Sequence, residues 1–263
     1  MTDTQKIIKY TALALAILLV FVIIGGIVTA VGAIIGVGSG VGESQTYETE
    51  GEIKRLEVEI GAADFRIEVG DAFSVESNLK NLTLRQTGNR LILREKSFGN
   101  KKYDGAFLTI YIPEGAVFDE INITTGAGKF TAESLSAEII DLEFGAGEVN
   151  IGELNATREA DIEGGAGQIT IGGGSLCDLQ IDMGVGELRL TSEIVGAGEF
   201  NLGVGEVVIT LLGNRDDYTV ELNKGIGSIS FDGESISTGR TMGNGKNDVE
   251  INGGIGSITV NFK

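Results

Sequence analysis

Residues 142–151 read Leu142-Glu143-Phe144-Gly145-Ala146-Gly147-Glu148-Val149-Asn150-Ile151, and this pattern decides the fold. Apolar and polar residues alternate on both sides of a glycine-X-glycine corner. The corner recurs as Gly126-Ala127-Gly128, Gly145-Ala146-Gly147, Gly165-Ala166-Gly167 and Gly184-Val185-Gly186. It continues as Gly203-Val204-Gly205, Gly225-Ile226-Gly227 and Gly254-Ile255-Gly256, with central residues 19, 20, 19, 19, 22 and 29 apart. A fixed period of this size marks a solenoid, in which each unit buries its apolar face only by stacking on its neighbours.

Four positions before the central residue stand Ile123, Leu142, Ile162, Ile181, Phe200, Leu222 and Ile251. Three positions after it stand Phe130, Val149, Ile169, Leu188, Val207, Ile229 and Ile258, and five after it Ala132, Ile151, Ile171, Leu190, Ile209, Phe231 and Val260. This is the strand period of two. The parity places the residue four before on the same face as the central one, whereas the residues three and five after share the face beyond. A single straight strand cannot do that, so the chain must bend or bulge at the glycines. Each rung is therefore predicted as strand, corner, strand and loop, with rungs stacked in parallel about 4.8 Å apart. The fold class is all-β, a parallel β-helix or β-solenoid of about 20-residue rungs over 121–263.

A degenerate copy opens this part, with Val58, Gly61, Ala62, Ala63, Phe65 and Ile67 in the matching places. Between Ala62 and Ala127 the short runs Leu91-Ile92-Leu93 and Leu108-Thr109-Ile110-Tyr111-Ile112 are separated by turns such as Thr87-Gly88-Asn89. The segment 43–120 is predicted to cap the stack as hairpins or early rungs, because a solenoid needs atypical ends.

Tyr10 to Gly42 contains no charged residue, and Ala12 to Thr29 is almost wholly aliphatic. That length suffices for one transmembrane α-helix. Lys6 and Lys9 precede it and Glu43, Glu48, Glu50 and Glu52 follow. The positive-inside rule then gives a single-pass protein at the cell membrane, with a cytoplasmic N-terminus and an extracytoplasmic C-terminal domain. Residues 1–42 form the stub, helix and glycine-rich linker, and the lipid bilayer is the first expected partner. Cleavage as a signal peptide after Ala30-Val31-Gly32 is the rival reading. Gly32 and Gly36 stand at the spacing that lets two helices pack, or simply lead into the Val37–Gly42 linker.

The chain is acidic, with 20 basic and 38 acidic residues and a net charge of −18. Such a surface excludes nucleic acid as a partner and attracts cations. Cys177 is the single cysteine, so no internal disulfide forms; it reads as a small buried apolar residue, with a bridge to a second chain as the alternative. The absence of histidine removes imidazole catalysis, nucleophile–histidine pairs and the common zinc sites. No phosphate-binding or dinucleotide motif is present either. No catalytic, cofactor-binding or metal-ligating residue is assigned, and the protein is read as not an enzyme.

Carboxylates remain. Stacking would align Glu143, Glu163 and Asp182 before the corner, and Glu148, Glu187 and Glu206 after it, into acidic columns on the outer face. Asp141, Asp161, Glu199, Glu221 and Glu250 extend them. A solvated face is the ordinary meaning of such columns. Calcium is the cofactor an oxygen-rich surface suits, yet Gly164-Gly165-Ala166-Gly167-Gln168-Ile169 puts isoleucine where a calcium repeat needs aspartate. Two loops interrupt the acidic background: a basic and aromatic tip with Phe98, Lys101, Lys102 and Tyr103, and a glycine-rich excursion over Asp232–Asp248.

The opening Ile60-Gly61-Ala62-Ala63-Asp64, the segment Tyr111-Ile112-Pro113-Glu114-Gly115 and the repeated Gly-Ala-Gly-Glu-Val units resemble the bacterial "putative adhesin" domain family. So does the close Ile251-Asn252-Gly253-Gly254-Ile255-Gly256-Ser257-Ile258-Thr259-Val260. The resemblance spans residues 50–263 and includes LiaG-type envelope proteins of unknown function. It implies a membrane-associated β-solenoid at the bacterial cell surface, linked in some members to envelope stress, and it supplies no catalytic residue. The resulting expectation is a non-enzymatic, adhesin-like binding or scaffolding module whose partners are cell-envelope proteins, glycans or further copies of itself. An envelope-stress sensor acting through a membrane partner is the alternative, and a polysaccharide-acting β-helix enzyme the third reading.

Overall fold

The computed structural model describes residues 38–95 and 101–263. The described residues are all-β apart from one short 3-10 turn, Arg215–Asp217. The N-terminal block contains β1 (Gly38–Ser39), β2 (Val41–Glu48), β3 (Arg55–Gly70), β4 (Ser74–Leu79) and β5 (Leu82–Thr87). It continues with β6 (Arg90–Glu95), β7 (Lys101–Lys102) and β8 (Phe107–Pro113). Two long extended runs follow, β9 (Phe118–Ile171) and β10 (Ser175–Leu211), each folding through several corners. The C-terminal block has β11 (Tyr218–Phe231), β12 (Glu234–Ile236), β13 (Arg240–Gly243) and β14 (Asn247–Phe262).

Corners stack in register. Ala62 pairs with Ala127, Val185 with Ala166, Val204 with Ile255, and Ile255 with Ile226, all in parallel. The residues predicted to face inward do so: the whole set four before, three after and five after the corner is buried. Phe65, Phe130 and Phe144 continue the internal ladder as tilted rings in contact, with centroids 4.9 and 5.3 Å apart. Leu135, Leu154, Leu176 and Ile194, on the segments that return the chain to the next rung, are buried as well.

The glycines are set by close approach. A Cβ at Gly186 would lie 1.8 Å from the carbonyl oxygen of Gly167, and one at Gly205 1.7 Å from that of Gly186. Both also hold φ in the region that favours glycine, at 144° and 148°. Each corner thus presses backbone on backbone, which no side chain permits.

Two features depart from the sequence reading. The central residues do not share the buried face: Ala127, Ala146, Ala166, Val185 and Ile226 are exposed. The parity therefore reverses ahead of the central residue, and its side chain projects from the apex. Second, the rungs are not stacked in chain order. β14 lies between β10 and β11, parallel to both, so the corner at Ile255 separates those at Val204 and Ile226. The excursion between β11 and β14 supplies β12 and β13, which pair antiparallel with the far side of β11.

Both ends are closed in the same way. On β3, β6 covers the arm before the corner and β8 the arm after it. Glu95, 3 % exposed, fills the gap between them. The Gly61 N–H donates to Glu95 Oε2 at 3.0 Å, and the Tyr103 hydroxyl donates to Oε1 at 2.7 Å. On β11, β13 and β12 cover the two arms, and Thr238 lies between them. The Lys224 N–H donates to Thr238 Oγ1 at 2.7 Å, and the hydroxyl donates back to the Lys224 carbonyl at 3.1 Å. Glu95→Ala should cost about 1–3 kcal/mol, because it removes the acceptor shared by a half-buried N–H and a half-buried hydroxyl. Glu95→Gln, which keeps an acceptor, should cost less; equal urea midpoints for the two variants would contradict the capping role.

The expected membrane location is corrected. Among the described residues no helix is long and apolar enough to cross a membrane. The described end of the Tyr10–Gly42 stretch is strand: Gly38–Ser39 pairs with Lys101–Lys102, and Val41–Glu48 with Ser74–Leu79. Glycine-rich chain here finds backbone partners in a sheet instead of serving as a linker. The expected helix itself lies outside the described residues.

Candidate functional site

The regular outer surface is built from the positions flanking each corner. Extended backbone alternates side chains, so the residues three before and two after the central one point away from the core. Register then lines them up: Asp182 lies beside Glu163, and Glu187 beside Gln168. Glu143, Glu148, Glu163 and Glu206 are exposed, while Asp182 and Glu187 are half-buried. Both columns therefore exist on the outer face, and Gln168 interrupts the second.

Neighbouring carboxylates disturb one another. Burial, reinforced by the charges of Asp141, Asp182 and Glu159, raises the pKa of Asp161. Burial and the charges of Glu143, Glu120 and Glu159 raise Asp141, and burial followed by Asp161 and its neighbours raises Glu163. Glu148 moves the other way, held down by hydrogen bonds from Asn150 and Lys129. A carboxyl raised in the folded state binds its proton more tightly there than in the unfolded chain. Its contribution to stability is therefore greatest at acid pH and is lost as pH rises through the raised value. Asp161→Asn should accordingly raise Tm near neutral pH by about 2 °C or more and flatten its fall as pH rises above the usual carboxylate range. An unchanged Tm profile by calorimetry would show that the column carries no such strain.

Beyond Asp182 the column before the corner turns into an asparagine ladder. Asn223 Nδ2 donates to Asn252 Oδ1, and Asn252 Nδ2 to Asn201 Oδ1, each at 3.3 Å. Each amide also donates to a glutamate two residues earlier, Glu221, Glu250 and Glu199, at 2.9 Å. The ladder follows the spatial order of the rungs, not their order in the chain.

Among the described residues no three carboxylates converge on a point where a metal ion would sit. Two cavities under the corners, of about 20 and 10 Å³, have room for a water molecule at most. The larger is lined by Leu202, Lys224 and Gly253. Burial pushes the Lys224 ammonium pKa down.

Of the basic and aromatic tip, Phe98 lies outside the described residues. The backbone of Lys101 and Lys102 forms β7, and Tyr103 is half-buried with its hydroxyl on Glu95. At the opposite end Arg215 lies over the rings of Phe231 and Phe262, 5.1 and 5.5 Å from their centroids, and pairs with Asp232 at 2.7 Å. Cys177 is half-buried and unbridged.

Between the acidic columns runs a line of apolar side chains that sequence reasoning assigned to the interior. In spatial order it reads Ala62, Ala127, Ala146, Ala166, Val185, Val204, Ile255, Ile226. Val185 is 38 % and Ile226 47 % exposed. The signal that finds it is the glycine on each side: corner backbones pressed together leave the central side chain only the outward direction.

A comparison with curated proteins finds no match. Among solved structures the chain resembles a putative cell adhesion protein from Clostridium sporogenes, at 14% identity and TM-score 0.39 over 84% of this chain and 99% of that one. It also resembles a putative adhesin from Bacteroides fragilis, at 12% identity and TM-score 0.35 over 83% and 96%. A putative adhesin from Parabacteroides distasonis matches at 13% identity and TM-score 0.37 over 85% and 99%. These relatives are named as adhesins, not as enzymes. The family model described as Toastrack DUF4097 matches residues 47–261, and the chain belongs to that family.

Proposed function

We propose that the protein is a non-enzymatic surface module of the adhesin type, which holds or organises partners without altering them. The observation that carries this reading is the in-register stack itself. It presents parallel columns of carboxylates, amides and aliphatic side chains on a continuous sheet closed at both ends. Such a sheet supplies a wide, rigid contact area, and the cavities beneath it are too small for a substrate. The flanking acidic surface favours cationic groups over anionic ones.

The test is a pull-down with the full chain, with and without calcium, against cell-wall fragments and a bacterial envelope proteome. A saturable partner recovered chemically unchanged supports the module. Turnover of any captured glycan or peptide would sink it.

A further inference from the structure

The line of side chains at the corner apices lies outside the buried core. Every apex after Ala62 has glycine before and after it, because backbone oxygens occupy the space of a Cβ there. The apex side chain projects from the corner, exposed at Ala127, Ala146, Ala166, Val185 and Ile226 and half-buried at Ala62, Val204 and Ile255. Yet every one of the eight apices carries alanine, valine or isoleucine. Their size also grows in one direction, from four alanines through Val185 and Val204 to Ile255 and Ile226. Aliphatic side chains repeated in a line on a surface mark a place where something is covered.

What covers it is limited by the borders. Carboxylates stand on both sides at Ala146 and Val185 and on one side at Ala166 and Val204, and between Asp141 and Leu211 the chain has 13 acidic and 2 basic residues. An anionic occupant is repelled, and a second copy would bring the same acidic borders. A purely polar cation leaves the aliphatic line exposed. We infer that the ridge docks a cationic amphipathic segment, a peptide or protein stretch with a line of aliphatic side chains bordered by lysine or arginine. Rungs about 4.8 Å apart give eight apices a length of roughly 34 Å. This inference rests on the binding-module reading and names its class of partner. Attraction between the borders sets the orientation and speeds encounter, and the apolar contact discriminates against simple polycations.

The full chain would be titrated with a fluorescein-labelled peptide of alternating leucine and lysine, followed by anisotropy. Controls are the same peptide with glutamate for lysine, and oligolysine. Saturable binding is expected for the first, at least about 10-fold tighter than for oligolysine, and none for the glutamate peptide. Raised salt should weaken it. The triple variant Val185→Ser, Val204→Ser, Ile226→Ser, and separately Glu163→Gln with Glu187→Gln, should each weaken it by about 10-fold or more. Should the serine variant lower Tm, threonine at the same three positions keeps the branched shape while adding a hydroxyl, and the same loss is expected. Absence of saturable binding overturns the inference, as does equal binding of oligolysine or unaltered affinity in the apex variants. A neutral glycan or an acidic protein captured in the pull-down, with no peptide binding here, would remove the ridge proposal and leave the module reading standing.

Discussion

Gly186→Ala is expected to leave the chain unable to complete its stack. The added methyl would sit 1.8 Å from the Gly167 carbonyl oxygen, on a backbone already at φ 144°. Neither strain can relax cheaply. The oxygen belongs to a backbone held in register, with Val185 paired to Ala166 and Gly186 to Gly167. Moving it disturbs the Gly147 contact beneath, where a Cβ at Gly167 would lie 1.9 Å from the next oxygen. The loss should exceed about 4 kcal/mol, beyond the range of most single substitutions. The control lies one residue away. Val185→Ala alters only an outward side chain and should stay within about 1 kcal/mol. Urea denaturation of the two variants decides the matter; a Gly186→Ala midpoint close to that of Val185→Ala would refute the close-packed corner. The first rung shows where the constraint ends. It has Ala63 in place of the second glycine, and Glu95 and β8 lie beyond it instead of another corner.

Deleting Asn247–Lys263 is expected to remove two rungs instead of one. In a stack built in chain order, loss of the last rung would shorten the array and leave its neighbour in place. Among the described residues β14 is the only strand that pairs with both β10 and β11, which otherwise meet where the Ile194 N–H donates to the Tyr218 hydroxyl. Without it, β11 retains only the short antiparallel strands β12 and β13, too little to hold an isolated sheet. The edge of β10 would stand open, a template for association. Hydrogen exchange should show residues 218–231 losing protection along with the deleted strand, and the truncated chain should associate on size exclusion. A monomer with β11 still protected would mean that the rungs pack independently. The Asn201–Asn252–Asn223 ladder gives a milder version of the test, since Asn252→Ala breaks it in the middle.

The extent to which this fold is legible in the sequence follows from what sets each feature. The buried ladders depend on alternation alone, and residues such as Ile162, Ile169 and Ile171 declare it directly. The corners are equally plain, because few residues besides glycine tolerate that contact. The apex direction was obscured by composition: valine and isoleucine read as core even where the backbone turns them outward. Rung order was hidden for another reason. All copies carry the same register, so Ile255 fits against Val204 as well as Ile226 does, and only the long excursion hinted at an exchange. Glu95 gave no pattern at all. A capping carboxylate is set by a gap in three dimensions, and the residues before it in β6 are ordinary strand residues.

The placement of β14 also decides how the molecule bears load. A terminal rung at the edge of a stack peels away one hydrogen bond at a time when its end is pulled. Here the C-terminal strand is gripped on both flanks, by β10 and by β11. Tension applied at Lys263 along that strand must shear two parallel ladders together before anything yields. A surface protein tethered or towed through its C-terminus would thus meet mechanical force with its most resistant geometry.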